Sequence, residues 1–207
     1  MKIICIGRNY AAHADEMKVE RPQEPVVFMK PPSALLVNNK PFYYPEFTQN
    51  LHFEVELVYR IAKNGRHVQP EFAPAYLGEL GIGIDFTARD LQAKLKKKGQ
   101  PWEIAKGFDG SAPISEFISL DEVPDQNAIE FGLRKNDELV QKGNSKDMLF
   151  QPPELVTYVS QYFRLHMKDL IFSGTPSGVG PVQVGDELEA FIVTKAGEQS
   201  LLHCAIR

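Results

Sequence analysis

The chain has 207 residues, of which 43% are hydrophobic and 24% charged, an ordinary globular composition with enough length to bury a sizeable core as one domain, residues 1–207. Its formal net charge of -4, from 23 basic and 27 acidic residues, excludes the basic footprint of a protein that grips the phosphate backbone of nucleic acid. The N-terminal apolar stretch covers only about five residues before Arg8 and Asn9, too short for a secretory signal or a membrane span, so a cytoplasmic location without a membrane partner is expected.

In chain order, β-branched or alternating composition predicts strands over 2–6, 26–30, 52–60, 80–86, 128–134, 169–172, 187–194 and 200–206. A helix is expected over Ala88 to Lys98, ending at Gly99, with a lysine-rich last turn that suits the negative end of the helix dipole and reads as a solvated face. A second helix is expected over Pro152 to Phe163, where two prolines open the first turn and Leu155, Tyr158, Val159 and Tyr162 recur at helical spacing with their aromatics in the core. Asn64 to Ala73 and Leu120 to Asn127 read as exposed loops. Cys5 and Cys204 stand at opposite ends without a C-x-x-C partner, so they signal buried apolar residues rather than zinc or a disulfide. With 15 glycines and 15 prolines spread along many short strands and no βα repeat, the fold class is a β-rich α+β.

The chemistry concentrates in His52-Phe53-Glu54-Val55-Glu56-Leu57. Period two puts Glu54 and Glu56 on one strand face with His52 beside them. A solvated face tolerates that repulsion; a divalent cation turns it into a ligand set. A third carboxylate, Asp85, follows the apolar run Ile82-Gly83-Ile84 at a strand end. Three carboxylates suit magnesium, with manganese the other fit, and leave coordination positions for water or a chelating 2-oxo acid. His52 is either a further ligand or a residue that supports the ligands. Lys30, at the end of Val26-Val27-Phe28-Met29 and before two prolines, is placed either to bring its ammonium toward an anionic substrate or to form an ordinary salt bridge.

The blocks HFEVEL, DFTARDLQ and WEIAKGFDGSAPI, flanked by GRNYAAHADEM, FMKPPSAL, VQKGNSKDM and FSGTPSGVGPVQVGD, resemble in order and spacing the signature of the fumarylacetoacetate hydrolase family, over nearly the whole chain. The resemblance is to the small acylpyruvase and oxaloacetate decarboxylase branch, starting directly at the catalytic domain without the extra N-terminal domain of fumarylacetoacetase itself. It implies a mixed-sheet roll, a homodimer and a small 2-oxo acid substrate. It places the metal ligands on Glu54, Glu56 and Asp85, substrate and enolate contacts on Arg89, Gln92, Lys106 and Thr175, and a hydrolytic dyad on His13 and Glu16. On a helical turn those two lie on one face, so the carboxylate orients the imidazole. Phe86 stands where the family usually has a β-branched residue, and Ser145 where it often has threonine. The reaction implied is hydrolysis of a 2,4-dioxo acid, with decarboxylation or isomerisation of oxaloacetate or a hydroxymuconate-type diacid as the alternative. The run from Gly174 to Gly180 lacks the lysine of a phosphate loop, and its glycines are expected to let backbone amides and the Thr175 hydroxyl approach a substrate carboxylate.

Overall fold

The computed structural model describes residues 1–16 and 20–207; Met17, the last residue of GRNYAAHADEM, lies outside them. A six-stranded sheet runs in the order Val26–Lys30, Ile3–Gly7, Leu170–Phe172, Val55–Ile61, Leu77–Ile84 and Ile118–Ser119. Only Ile3–Gly7 and Leu170–Phe172 pair in parallel, so the sheet is mixed. A four-stranded antiparallel sheet is built from Glu138–Asn144, Glu130–Lys135, Glu187–Thr194 and Gly197–Ala205. The two sheets share one core, with Leu57, Tyr59, Ile82 and Ile84 from the first and Phe131, Leu133, Ala190 and Ile192 from the second. Val55–Ile61 is buried at every position but Arg60, which is why its polar and apolar residues do not sort by face as they would on a half-solvated strand.

Four α-helices complete the described chain: α1 (Ala11–Glu16), α2 (Arg89–Lys98), α3 (Glu103–Lys106) and α4 (Pro152–Tyr162). Gly99 closes α2 at φ 63°, a left-handed cap that a glycine adopts without strain. On α4, Leu155, Val156 and Val159 are buried, but Tyr158 is only half-buried and Tyr162 is 59% exposed, so the aromatic stripe flanks the core instead of entering it. The expected loops carry short 3-10 turns, Pro70–Tyr76 and Leu120–Glu122, the latter closed by a capping box between Ser119 and Glu122. Cys5 and Cys204 are buried free thiols; burial pushes the Cys204 pKa up to about 12. Among the described residues no helix is long and apolar enough to cross a membrane.

Two departures from the expected strands matter for the site. The predicted strand 52–60 divides at Glu54, because Leu51–Phe53 pairs with Gly180–Pro181 and Thr87–Ala88 while Val55–Ile61 enters the large sheet. Glu54 therefore sits at the junction of two sheets. The strand Glu138–Asn144 was not expected, since its charged, glycine-containing sequence lies at a sheet edge. It is joined to Glu130–Lys135 by Asn136 and Asp137, both at positive φ (52° and 67°), a two-residue hairpin turn of the type asparagine and aspartate favour.

Candidate functional site

The antiparallel register pairs Val55 with Ile84 and Glu56 with Gly83, and the Asp85 N–H donates to the Glu54 carbonyl at 2.8 Å. Asp85 is thereby set beside the Glu54–Glu56 face, and ligand oxygens of the three carboxylates lie within 4.8 Å of one another, all buried. Octahedral coordination at about 2.0–2.1 Å separates ligand oxygens by roughly 3–4 Å, so small side-chain adjustments suffice for a magnesium- or manganese-sized cation. The all-oxygen donor set fits such a cation. His52 does not join it: its Nε2 lies 2.9 Å from Asn50 Oδ1, and burial with the nearby Arg89 charge pushes its pKa down to about 4.

Cations surround the cluster. Lys106 Nζ donates to Glu54 Oε2 at 2.8 Å and to Asp85 Oδ2 at 2.5 Å, instead of pairing with its sequence neighbours Glu103 or Asp109. Lys30 Nζ lies 2.8 Å from Asp85 Oδ1 and donates to the carbonyls of Lys106 and Ser111 and to Ser111 Oγ. Lys30 is thus turned to the floor beneath Asp85 and is absent from the lining of the cleft above it. Arg89 Nη2 donates to Glu54 Oε1 at 2.5 Å and Nη1 to Gln92 Oε1 at 2.9 Å, one helical turn away on α2.

Burial by itself would raise the Glu54 pKa, but the charges of Lys106, Arg89 and His13 hold it well below the usual carboxylate range. Glu56 goes the other way: burial and the adjacent Asp85 charge push it well up, against the Gly174 N–H, 2.7 Å from its Oε2, and the Lys106 charge, which pull it down. For Lys106, burial lowers the pKa and the two carboxylates more than restore it, so it is raised. A cation binding this cluster competes with the proton that the raised pKa favours on Glu56. Its apparent affinity should therefore rise with pH until Glu56 ionises, with proton uptake by the buffer on binding; calorimetry in buffers of different ionisation enthalpy measures this directly.

The Gly174–Gly180 loop serves the protein's own carboxylates more than expected. Gly174 (φ 97°) gives its N–H to Glu56, and Gly178 (φ 96°) gives its N–H to Glu16 at 3.1 and 3.2 Å. A side chain at Gly178 would meet the Val140 carbonyl at 2.4 Å, so the close approach requires glycine. Glu16 Oε2 lies 3.3 Å from His13 Nδ1, and His13 is 6% exposed. The Thr175 hydroxyl accepts from Gln141 Nε2 at 2.9 Å, while Gln141 Oε1 accepts the Val55 N–H at 2.9 Å, tying the loop to the carboxylate-bearing strand.

One cleft is lined by His13, Glu54, Glu56, Asp85, Arg89, Gln92, Lys106 and Thr175, together with Arg8, Lys96, Phe28 and Trp102. Glu16 and Lys30 back that lining without being part of it. Of the residues that sequence reasoning missed, Gln141 had the signal of an uncharged polar side chain amid a strand, and Lys96 lies at i+7 from Arg89 on the α2 face that carries Gln92.

The model of the fumarylacetoacetate (FAA) hydrolase C-terminal region matches residues 2–201. The chain belongs to the fumarylacetoacetate hydrolase family. Among curated relatives of this family, oxaloacetate tautomerase FAHD1, mitochondrial, of Bos taurus is 42% identical over 190 residues, covering 92% of this chain and 86% of the relative. Among solved structures, a putative fumarylacetoacetate isomerase/hydrolase from Oleispira antarctica has a TM-score of 0.93 at 37% identity, covering 100% of this chain and 93% of its own. Fumarylpyruvate hydrolase from Pseudomonas aeruginosa, in complex with Mn2+ and pyruvate, has a TM-score of 0.91 at 35% identity, covering 100% of this chain and 90% of its own. The protein is thus an enzyme of the fumarylacetoacetate hydrolase family with its strand-rich α+β fold, and carries an acidic triad able to hold a metal.

Proposed function

We propose that this enzyme uses a divalent cation, magnesium or manganese, held by Glu54, Glu56 and Asp85, to interconvert the keto and enol forms of oxaloacetate or a close 2-oxo diacid. The observation that carries the reading is the convergence of the three buried carboxylates with Lys106 and the His13–Glu16 pair on one cleft. The relatives named oxaloacetate tautomerase favour this reaction among those open to the family. Bound there, a cation supplies positive charge for the carboxylate and 2-oxo oxygens and lowers the cost of charge developing on the latter. Arg89, Gln92 and Thr175 orient the substrate. Lys106 offsets negative charge as the proton leaves carbon, and Lys30 fixes Asp85 from below. With His13 Nδ1 engaged by Glu16, Nε2 is the nitrogen left to carry a proton from the carbon beside the 2-oxo group to the 2-oxo oxygen, and from that oxygen back to carbon in the reverse direction.

A second reading, cleavage of a carbon–carbon bond in an acylpyruvate, is favoured by the same dyad, which could activate water, and by the likeness to fumarylpyruvate hydrolase. We also propose a homodimer, for which the apolar face of Met1, Phe47, Ile104 and Phe108 is the natural contact; Phe47 and Ile104 are 50% and 63% exposed.

The test follows ultraviolet decay of freshly dissolved enol oxaloacetate with magnesium and with a chelator, with product identity by NMR. Metal-dependent acceleration with all four carbons retained is expected. No acceleration, with pyruvate released instead from oxaloacetate or from acetylpyruvate, sinks the tautomerase reading in favour of decarboxylation or hydrolysis respectively.

A further inference from the structure

Arg8 and Lys96 line the cleft, yet neither side chain makes a hydrogen bond or ion pair among the described residues. Deeper in, Lys30, Lys106 and Arg89 are taken up by Glu54 and Asp85 at ion-pair distance. Arg8 and Lys96 have no carboxylate at that distance among the described residues, so their positive charge at the cleft is uncompensated before any metal is counted.

The fold holds both in place. Arg8, directly after the strand Ile3–Gly7, has φ 60°, a left-handed conformation that a non-glycine residue adopts only where its surroundings hold it there. The next residue pins that bend: fully buried Asn9 donates through Nδ2 to the carbonyls of Phe150 (3.0 Å) and Ser173 (2.8 Å), and its Oδ1 accepts the Phe150 N–H (2.8 Å). Lys96 lies along the cleft face of α2, its Nζ 5.1 Å from the centroid of the Trp102 ring, which takes the place of solvent on one side of the ammonium. It is half-buried, not the solvated lysine its sequence context suggests. Burial, then the charges of Arg8, Arg89 and Lys106, push its pKa down to about 8, as expected of cations crowded without a counterion. Crowded, pre-positioned cations at the mouth of a cleft are the physical requirement of an anion site.

We propose that Arg8 and Lys96 form a subsite for the distal carboxylate of the substrate and select 2-oxo diacids over 2-oxo acids with a neutral tail. This rests on the reading above that the carboxylate cluster takes the 2-oxo acid end. The chain thereby separates two tasks: the cluster recognises what all 2-oxo acids share, and the two rim cations recognise what distinguishes a diacid.

The test is calorimetric titration of magnesium-loaded protein with oxaloacetate already at keto–enol equilibrium and with pyruvate, which reads binding because tautomerisation then makes no net change. Wild type is expected to prefer oxaloacetate about a hundredfold, and Arg8→Gln and Lys96→Gln each to remove about tenfold of that while pyruvate affinity stays within about twofold. Lys96→Arg, which keeps the charge and the ring contact, should restore most of it. Equal wild-type affinities, or equal weakening of both acids in the Gln variants, overturns the subsite. If neither acid binds wild type in a metal-dependent way, the reading of the carboxylate cluster fails and the subsite with it.

Discussion

Asp85→Asn is expected to cost the metal-free fold about 3–5 kcal/mol and to abolish metal binding and turnover, whereas Glu56→Gln should lose the metal as completely while keeping metal-free stability within about 1 kcal/mol of wild type. The asymmetry follows from their partners. Asp85 lies within ion-pair distance of two lysines, each no more than 3% exposed, at 2.8 and 2.5 Å, and its neutralisation strands positive charge in the interior. Lys106 keeps Glu54, but Lys30 has no other carboxylate within reach among the described residues. Glu56 has no cationic partner at ion-pair distance among the described residues; it accepts the Gly174 N–H, which a glutamine oxygen can also do. Its pKa is raised, so its contribution to stability is present while it is protonated and is lost as pH rises through that raised value. Glutamine imitates the protonated form, which the metal-free fold holds to higher pH than the unfolded chain does. Urea unfolding with a chelator present, beside magnesium calorimetry, measures both halves. Equal destabilisation by the two substitutions would show that the charge balance described here does not govern the metal-free state, and undiminished magnesium affinity in both would remove the proposed ligands.

The carboxylate triad was legible because its chemistry is local: two glutamates two apart in a strand-like run share a face, and an aspartate after an apolar strand stands at an edge. What set Asp85 against Glu54 is the pairing of Val55–Ile61 with Leu77–Ile84, and no local pattern carries that register. The expected strand 52–60 was continuous because composition does not change at Glu54; only the switch of hydrogen-bonding partners divides it. Lys96 was misplaced for a similar reason. A lysine-rich last turn looks solvated unless one knows that Trp102 folds back across it. Arg8 was invisible as a site residue because its position depends on a left-handed bend fixed by Asn9 reaching Phe150 and Ser173, some 141 and 164 residues away. The strand Glu138–Asn144 escaped because edge strands are polar, although the Asn136-Asp137 turn that starts it was in plain sight.

His13→Ala is expected to lower the maximal rate about 10²- to 10⁴-fold, the span of general acid–base catalysis, with magnesium affinity within about twofold of wild type. His13 is buried in the cleft lining, but among the described residues its side chain bonds only to Glu16, so its removal leaves the links of Lys106 and Arg89 to Glu54 and of Lys106 to Asp85 untouched. Glu16→Gln should have the milder effect, about ten- to a hundredfold, because the imidazole stays and loses only the charged partner that orients it. Glu16 also holds Gly178, and through that glycine the loop that carries Thr175, so part of its effect should appear in KM, whereas that of His13 should fall on kcat. Rates per folded molecule, taken with oxaloacetate and acetylpyruvate at saturating magnesium, separate the possible roles. A base for proton exchange that also activates water loses both activities together in His13→Ala. Loss of acetylpyruvate cleavage alone assigns the dyad to water and leaves Lys106 to move the proton in tautomerisation. If thermal stability falls and the rate per folded molecule holds, His13 is a packing residue of the cleft wall, and the Glu16 contact to Gly178 is what the segment contributes.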